Sequence, residues 1–398
     1  MKKFGLLYII PLLFALSFLL LVYAKINTII FYKKANISAD SSFRYIDNFH
    51  NNRFFEDQFL VDNDSFETIF ILGSSELTVH SISTPYNFIS DHFKTQLKGI
   101  GHAGNQCFSI YSQLLANENR LKDAPIIIVL SPGWFHSKDA NGTSASLFLE
   151  FNSPRFLNAI LLNDSNPVFK QYETERISDF YDEIVNPDLC INLLYFEHQS
   201  DKSILHKCFY FPIITIDNIL NGLKLDFLNS NKSALSRNPV IRKSIIQDSV
   251  RINWDSLFAT SKLEREKKST NNRWGINNDY FNLYIKGKKS TVSPVKDKYN
   301  QELEDFKMLI KLLRTNKTRA SFIILPLNPY YFTNLNKLSP LINSLQSEIL
   351  KNNFPCLNFW NEDSVTFEKE VLQDVMHLSD YGWYKADKFI VDTYRLSK

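Results

Sequence analysis

Residues Ile126 to Leu130 read IIIVL, an unbroken aliphatic run with no position suited to face water. Such a strand is stable only when both of its faces are covered, as in the interior of a parallel sheet with helices on either side. Three further short runs repeat the theme: Thr68 to Leu72 (TIFIL), Ser321 to Leu325 (SFIIL) and Phe354 to Trp360 (FPCLNFW). Elsewhere apolar residues recur at helical spacing, as in Phe306, Leu309, Ile310 and Leu313, and again in Trp383, Ala386, Phe389 and Ile390. Strands alternating with amphipathic helices predict an α/β fold of three layers, a parallel sheet flanked by helices. The stretch from about 140 to 300 is rich in Asn, Ser, Asp and Lys and lacks this alternation, so it is expected to be a largely helical insertion.

The N-terminus sets a compartment. Lys2 and Lys3 precede an apolar run from Phe4 to Ala24. About twenty helical residues cross a bilayer core, and a proline such as Pro11 is tolerated there. Val22, Tyr23 and Ala24 make a poor small-residue cleavage site. Residues 1–24 are therefore expected to be a retained single-pass anchor in the cell membrane. Residues 25–66 are expected to be a polar stalk, and 67–398 a catalytic domain that carries the insertion. Lys25, Lys33 and Lys34 follow the span, so flanking charge alone leaves its orientation open. A long C-terminal domain translocates regardless of such charges, and the domain is placed outside the cytoplasm.

Composition excludes several classes. The net charge is +3, and the basic cluster from Lys262 to Lys268 is interrupted by Glu264 and Glu266. That cluster reads as one solvated helical face, and no basic stripe suited to nucleic acid is present. Cys107, Cys190, Cys208 and Cys356 have no zinc-type spacing. An extracytoplasmic location permits a Cys190–Cys208 disulfide, but a domain this large needs no staple, and four buried thiols is the preferred reading. His50, His80, His92, His102, His136, His198 and His206 form no spaced pair, so neither a metal nor a soluble cofactor is expected.

Two distant segments carry the candidate chemistry. TIFIL runs directly into Gly73-Ser74-Ser75-Glu76-Leu77. A buried strand that ends in a glycine turn presents the next hydroxyl at the carboxyl edge of a parallel sheet, where ligands bind in such folds. A serine there lies at a helix start, whose N–H groups favour a developing oxyanion. By itself Ser74 or Ser75 reads better as a helix cap. Far downstream comes Asp374-Val375-Met376-His377, just before the last helix. A serine needs a neighbouring imidazole to take its proton, and the imidazole needs a carboxylate to fix its tautomer. Ser75, His377 and Asp374 are thus the candidate catalytic set. Between them lies Gly101-His102-Ala103-Gly104-Asn105-Gln106, expected to link two helical stretches. In it Gly104 N–H is a candidate oxyanion donor beside that of Ser75, whereas Gly101 reads as an ordinary turn residue. Glu76 at a helix start is favourable electrostatically and is also a candidate contact for an ammonium group. Trp134 is either a wall of the site or a core residue.

This constellation resembles the SGNH hydrolase superfamily, which carries its nucleophile in a GDS-like first block and closes with D-x-x-H. Here Ser74 replaces the Asp of that block. Within the superfamily the chain is similar to the DltD family. The similarity rests on the N-terminal span, GSSEL, the Gly104-Asn105-Gln106 turn before a helix, Ser131-Pro132-Gly133-Trp134-Phe135 (SP-x-WF), Leu325-Pro326-Leu327-Asn328 (LPxN), and Asp374 through Trp383 (DVMHLSDYGW). Gly133 stands where the family has a side-chain amide, so no third oxyanion donor is available there. The resemblance implies transfer of D-alanine through a serine acyl-enzyme onto an extracytoplasmic polymer of the teichoic-acid type. It implies Gln106 and Trp134 near the substrate, and a DltB-like membrane-bound O-acyltransferase as partner and source of the D-alanyl donor. Two other functions fit the same residues less fully. One is an O-acetyl transferase or esterase acting on a surface polysaccharide. The other is a non-catalytic subunit of a membrane acyltransferase.

Overall fold

A computed structural model describes residues 17, 44–46, 68–79, 81–163, 165–199, 212–218 and 252–396. The strands are β1 (Tyr45–Ile46), β2 (Thr68–Leu72), β3 (Gln96–Ile100), β4 (Pro125–Leu130), β5 (Ser290–Thr291), β6 (Arg319–Ile324), β7 (Phe332–Thr333) and β8 (Cys356–Asn358). Six of them form one sheet in the order β1-β3-β2-β4-β6-β8, and every pairing in it is parallel. β5 and β7 pair separately.

The helices that matter below are α1 (Pro85–His92), α2 (Cys107–Leu115), α3 (Ala145–Phe151), α4 (Pro154–Leu162), α5 (Pro167–Phe180), α6 (Leu189–Gln199), α7 (Trp254–Lys268), α8 (Gln301–Thr315), α9 (Ser339–Lys351) and α10 (Asp380–Tyr394). Every residue of β4 is buried, and their alternation feeds two separate cores. Ile126, Ile128 and Leu130 join Phe108 of α2 and Phe306, Leu309 and Leu313 of α8. Ile127 and Val129 join Tyr86 and Ile89 of α1 and Trp383, Ala386 and Ile390 of α10. Each fully buried aliphatic side chain contributes roughly 1.5–3 kcal/mol relative to exposure. The molecule is therefore α/β, with a parallel six-stranded sheet between two helical layers.

Two strands depart from the sequence expectation. Tyr45–Ile46, inside the stretch read as a stalk, adds an edge strand beside β3. β3 itself has the sequence QLKGI, whose Lys98 and Gly99 break the apolar pattern that marks its neighbours. The described residues from 140 to 300 are mainly helical, from α3 through α7, with the short β5 near the end. Apart from Ser17, the expected span over 1–24 lies outside the described residues. Among those described, no helix is long and apolar enough to cross a membrane.

Candidate active site

β2 ends at Leu72, and the chain turns through Gly73 into a short 3-10 helix, Ser75–Thr78. The turn is tight enough to exclude side chains. A Cβ on Gly73 would stand 2.4 Å from Glu76 Oε1, and one on Gly101 would stand 2.2 Å from the Gly73 carbonyl oxygen. Gly101 follows β3 directly, so its segment links a strand to α2 rather than two helical stretches, and Gly101 lets the end of β3 press against the end of β2. The Asn105 side chain then donates to Gly73 O at 2.9 Å and is itself held by Gln113 Nε2 at 2.8 Å. Ser75 is the first residue of the 3-10 helix, and a helix start leaves its leading N–H groups without intrahelical partners.

The second half of the site is a loop closed by a bridge between Leu372 and Leu378. Within it Asp374 Oδ1 accepts the N–H groups of Met376 and His377, both at 2.8 Å. Its Oδ2 lies 2.8 Å from His377 Nδ1, while His377 Nε2 lies 3.1 Å from Ser75 Oγ. Ser379 accepts Gly382 N–H at the start of α10 and donates to the Glu370 carbonyl at 2.5 Å, which joins the loop to that helix. Asn328, the last residue of LPLN, donates its backbone N–H to Val375 O at 2.9 Å. The two halves are also tied outside the hydrogen-bonded chain, because Ser81 and Ser83 both donate to Asp380 at the start of α10.

Electrostatics follow from burial and pairing. Burial pulls the His377 imidazole down, but the hydrogen bond and charge of Asp374, with the charge of Glu76 added, outweigh it and hold the ring above its ordinary value. Burial raises the Asp374 carboxyl, and its bonds to His377 and to the loop N–H groups outweigh that and keep it below the usual carboxylate range. Glu76 is the opposite case: burial pushes it up to about 7, against the bond it accepts from Ser74 N–H at 2.6 Å and the nearby His377.

The remaining sequence-chosen residues are placed differently. Gly104 has φ +94°, and its N–H donates to Ser74 Oγ at 3.1 Å, so the hydroxyl of Ser74 occupies it. Glu76 is 2% exposed and turned back toward the Ser74 amide rather than outward to an ammonium. Gln106 is buried, with its amide 3.3 Å from the Asp139 carbonyl. Trp134 is buried in the core beside Phe135. The sequence marks Asn105 only as part of the Gly104-Asn105-Gln106 turn and gives it no role of its own, because a buried amide that pins a backbone turn looks like any loop Asn. Among the described residues, no group of three or more His, Cys, Asp or Glu is arranged to hold a metal ion.

The family model described as DltD protein matches residues 44–395, from the residue before β1 to the residue after α10. The chain belongs to the DltD family. It is also 21% identical over 346 residues to Protein DltD of Bacillus subtilis (strain 168), which covers 82% of each chain. Both halves of the site lie inside the matched range, so the Ser75 turn and the Asp374–His377 loop are part of this DltD-family unit.

Proposed function

We propose that this DltD-family chain is an SGNH-like serine acyltransferase of the cell envelope that moves D-alanine onto a teichoic-acid-type polymer. The observation that carries the reading is the continuous hydrogen-bonded chain Ser75 Oγ–His377 Nε2 and His377 Nδ1–Asp374 Oδ2. In this reading Ser75 Oγ attacks the carbonyl carbon of an activated D-alanyl ester while His377 Nε2 takes the hydroxyl proton. The tetrahedral centre collapses, the bond to the leaving oxygen breaks, and His377 returns the proton to it. An acceptor hydroxyl then gives its proton to His377 and attacks the acyl carbon; the ester bond to Ser75 Oγ breaks and His377 returns the proton to that oxygen. Asp374 fixes the tautomer and stabilises the imidazolium. Ser75 N–H serves the oxyanion. Gly104 N–H joins it only by giving up Ser74 Oγ on substrate binding.

The rest of the proposal follows from family membership and the sequence. An N-terminal anchor over residues 1–24 holds the domain against the outer face of the cell membrane. A DltB-like membrane-bound O-acyltransferase supplies the D-alanyl group. The test is the D-alanine ester content of the cell surface in a strain carrying Ser75→Ala at unchanged protein abundance. The expected result is loss of the ester. Normal alanylation would rule out Ser75 as nucleophile. Loss of O-acetyl groups instead, from a surface without D-alanine ester, would move the reading to acetyl transfer.

A further inference from the structure

Arg265 lies in the last turn of α7, in the cluster that reads from sequence as one solvated face, yet it is only 4% exposed. Trp254, Phe258, Ser261 and Arg265 are spaced four, three and four residues apart, which places them on one side of the helix. That side packs on α10, with Phe258 6.1 Å from the ring of Tyr381. The guanidinium therefore points inward with the apolar stripe rather than outward with Lys267 and Lys268.

Its hydrogen bonds converge on the loop that carries the candidate acid–base pair. Nε donates to Leu372 O at 2.9 Å and Nη2 to Gln373 O at 2.9 Å, the two carbonyls immediately before Asp374. Nη2 also reaches Gly275 O, and Nη1 reaches Asn277 Oδ1. Asn277 N–H donates to the same Gln373 carbonyl at 2.9 Å, and Gln373 N–H closes the loop on His377 O at 2.9 Å. All these acceptors are amide oxygens. The carboxylates of Asp374, Asp380 and Glu370 act on Arg265 through their charge. A planar fork with several fixed donors meets two successive carbonyls at once, which a single ammonium does not.

We infer that Arg265 is a positioning residue for the acid–base pair: by bracing the carbonyls of Leu372 and Gln373 it sets where Asp374 and His377 stand relative to Ser75. The helical segment before β5 is thereby coupled to the site. The inference rests on the proposed role of Ser75, and a displacement of about 1 Å at a reacting group costs on the order of 10²-fold in rate.

The test uses the full chain in detergent with a fluorophosphonate probe for Ser75, together with the downfield N–H proton resonance of the His377–Asp374 bond. Arg265→Lys is expected to slow labelling at saturating probe on the order of 10²-fold with half-saturation unchanged, and to shift or broaden that resonance. Asn277→Ala, which removes one partner of the guanidinium, is expected to move both readouts in the same direction by less. Folded Arg265→Lys with a wild-type labelling rate and an unaltered resonance would overturn the inference. If Arg265→Lys does not fold, Asn277→Ala decides: slower labelling at an unchanged melting temperature supports it, and a wild-type rate overturns it. A wild-type chain that takes no label refutes the acyl-enzyme chemistry, and the His377 resonance in the two variants then decides the role of Arg265 alone.

Discussion

At the scale of residues, the site sets two carboxyl groups around one imidazole. Asp374 holds His377 above its ordinary value, and Glu76 adds to that from the other side. In its proposed role as base His377 works only when neutral, so labelling of Ser75 should rise with pH through a midpoint above about 6.5, the free imidazole value. Glu76→Gln removes the extra negative charge while keeping an oxygen for Ser74 N–H. The rise should then move to lower pH, read from the pH dependence of probe labelling at Ser75. An unmoved midpoint would show that Glu76 is protonated throughout. Asp374→Asn leaves the loop N–H groups an acceptor oxygen but sets the imidazole in the wrong tautomer. Labelling should fall by roughly 10⁴-fold with little change in melting temperature.

Among the elements, the decisive contact is the approach of two loop ends. The turn after β2 and the turn after β3 touch at Gly73 and Gly101, with no room for a Cβ. Gly101→Ala must push the Gly73 carbonyl away, and with it the Asn105 bond and the orientation of Ser75. Overpacking of this kind costs about 1–3 kcal/mol. Both the thermal midpoint and the labelling rate are expected to fall, whereas a variant at a loose turn would lose neither. The loop from Leu372 to Leu378 seats Leu372, Val375 and Leu378 in the cores and is braced in addition by polar atoms from α7 and Asn328. Such bracing fixes direction as well as distance, and direction is what a proton transfer needs.

In the molecule as a whole, one fully buried carboxyl stands apart from the others. The core on the α1 and α10 side contains Asp387 at 0% exposure, and neither of its oxygens has a hydrogen-bond partner among the described residues. Burial drives its carboxyl well above the ordinary range, so the folded chain keeps a proton that the unfolded chain releases above about pH 4. The folded state binds more protons, and stability therefore falls as pH rises through that interval. Asp387→Asn removes the penalty. Its thermal midpoint should exceed that of the parent chain at pH 7, and the gain should shrink toward pH 4. A constant gain at both pH values would show that Asp387 does not titrate on unfolding.

The parts legible in the sequence are those fixed by local pattern. TIFIL matches β2 to the residue, IIIVL lies in β4, and the apolar spacings around Phe306 and Trp383 lie in α8 and α10, because burial of one face writes a period into the chain. Ser75 and the Asp374–His377 pair were likewise marked by a strand end and a helix start. What the sequence did not carry is adjacency. β3 reads as no strand because Lys98 and Gly99 interrupt its apolar pattern, and its place is fixed by backbone pairing with β1 and β2. Gly101 looks like any turn glycine until β3 is laid beside β2, and Arg265 looks like one more surface cation until α7 is packed on α10. Gly104 N–H, expected at the oxyanion, meets Ser74 Oγ from thirty residues away. Ser75 and His377 stand 302 residues apart in the chain and 3.1 Å apart in space. Hydropathy is set by each residue with its near neighbours, whereas a close approach or a buried polar bond is set by two segments at once, and only the folded chain brings the second segment into place.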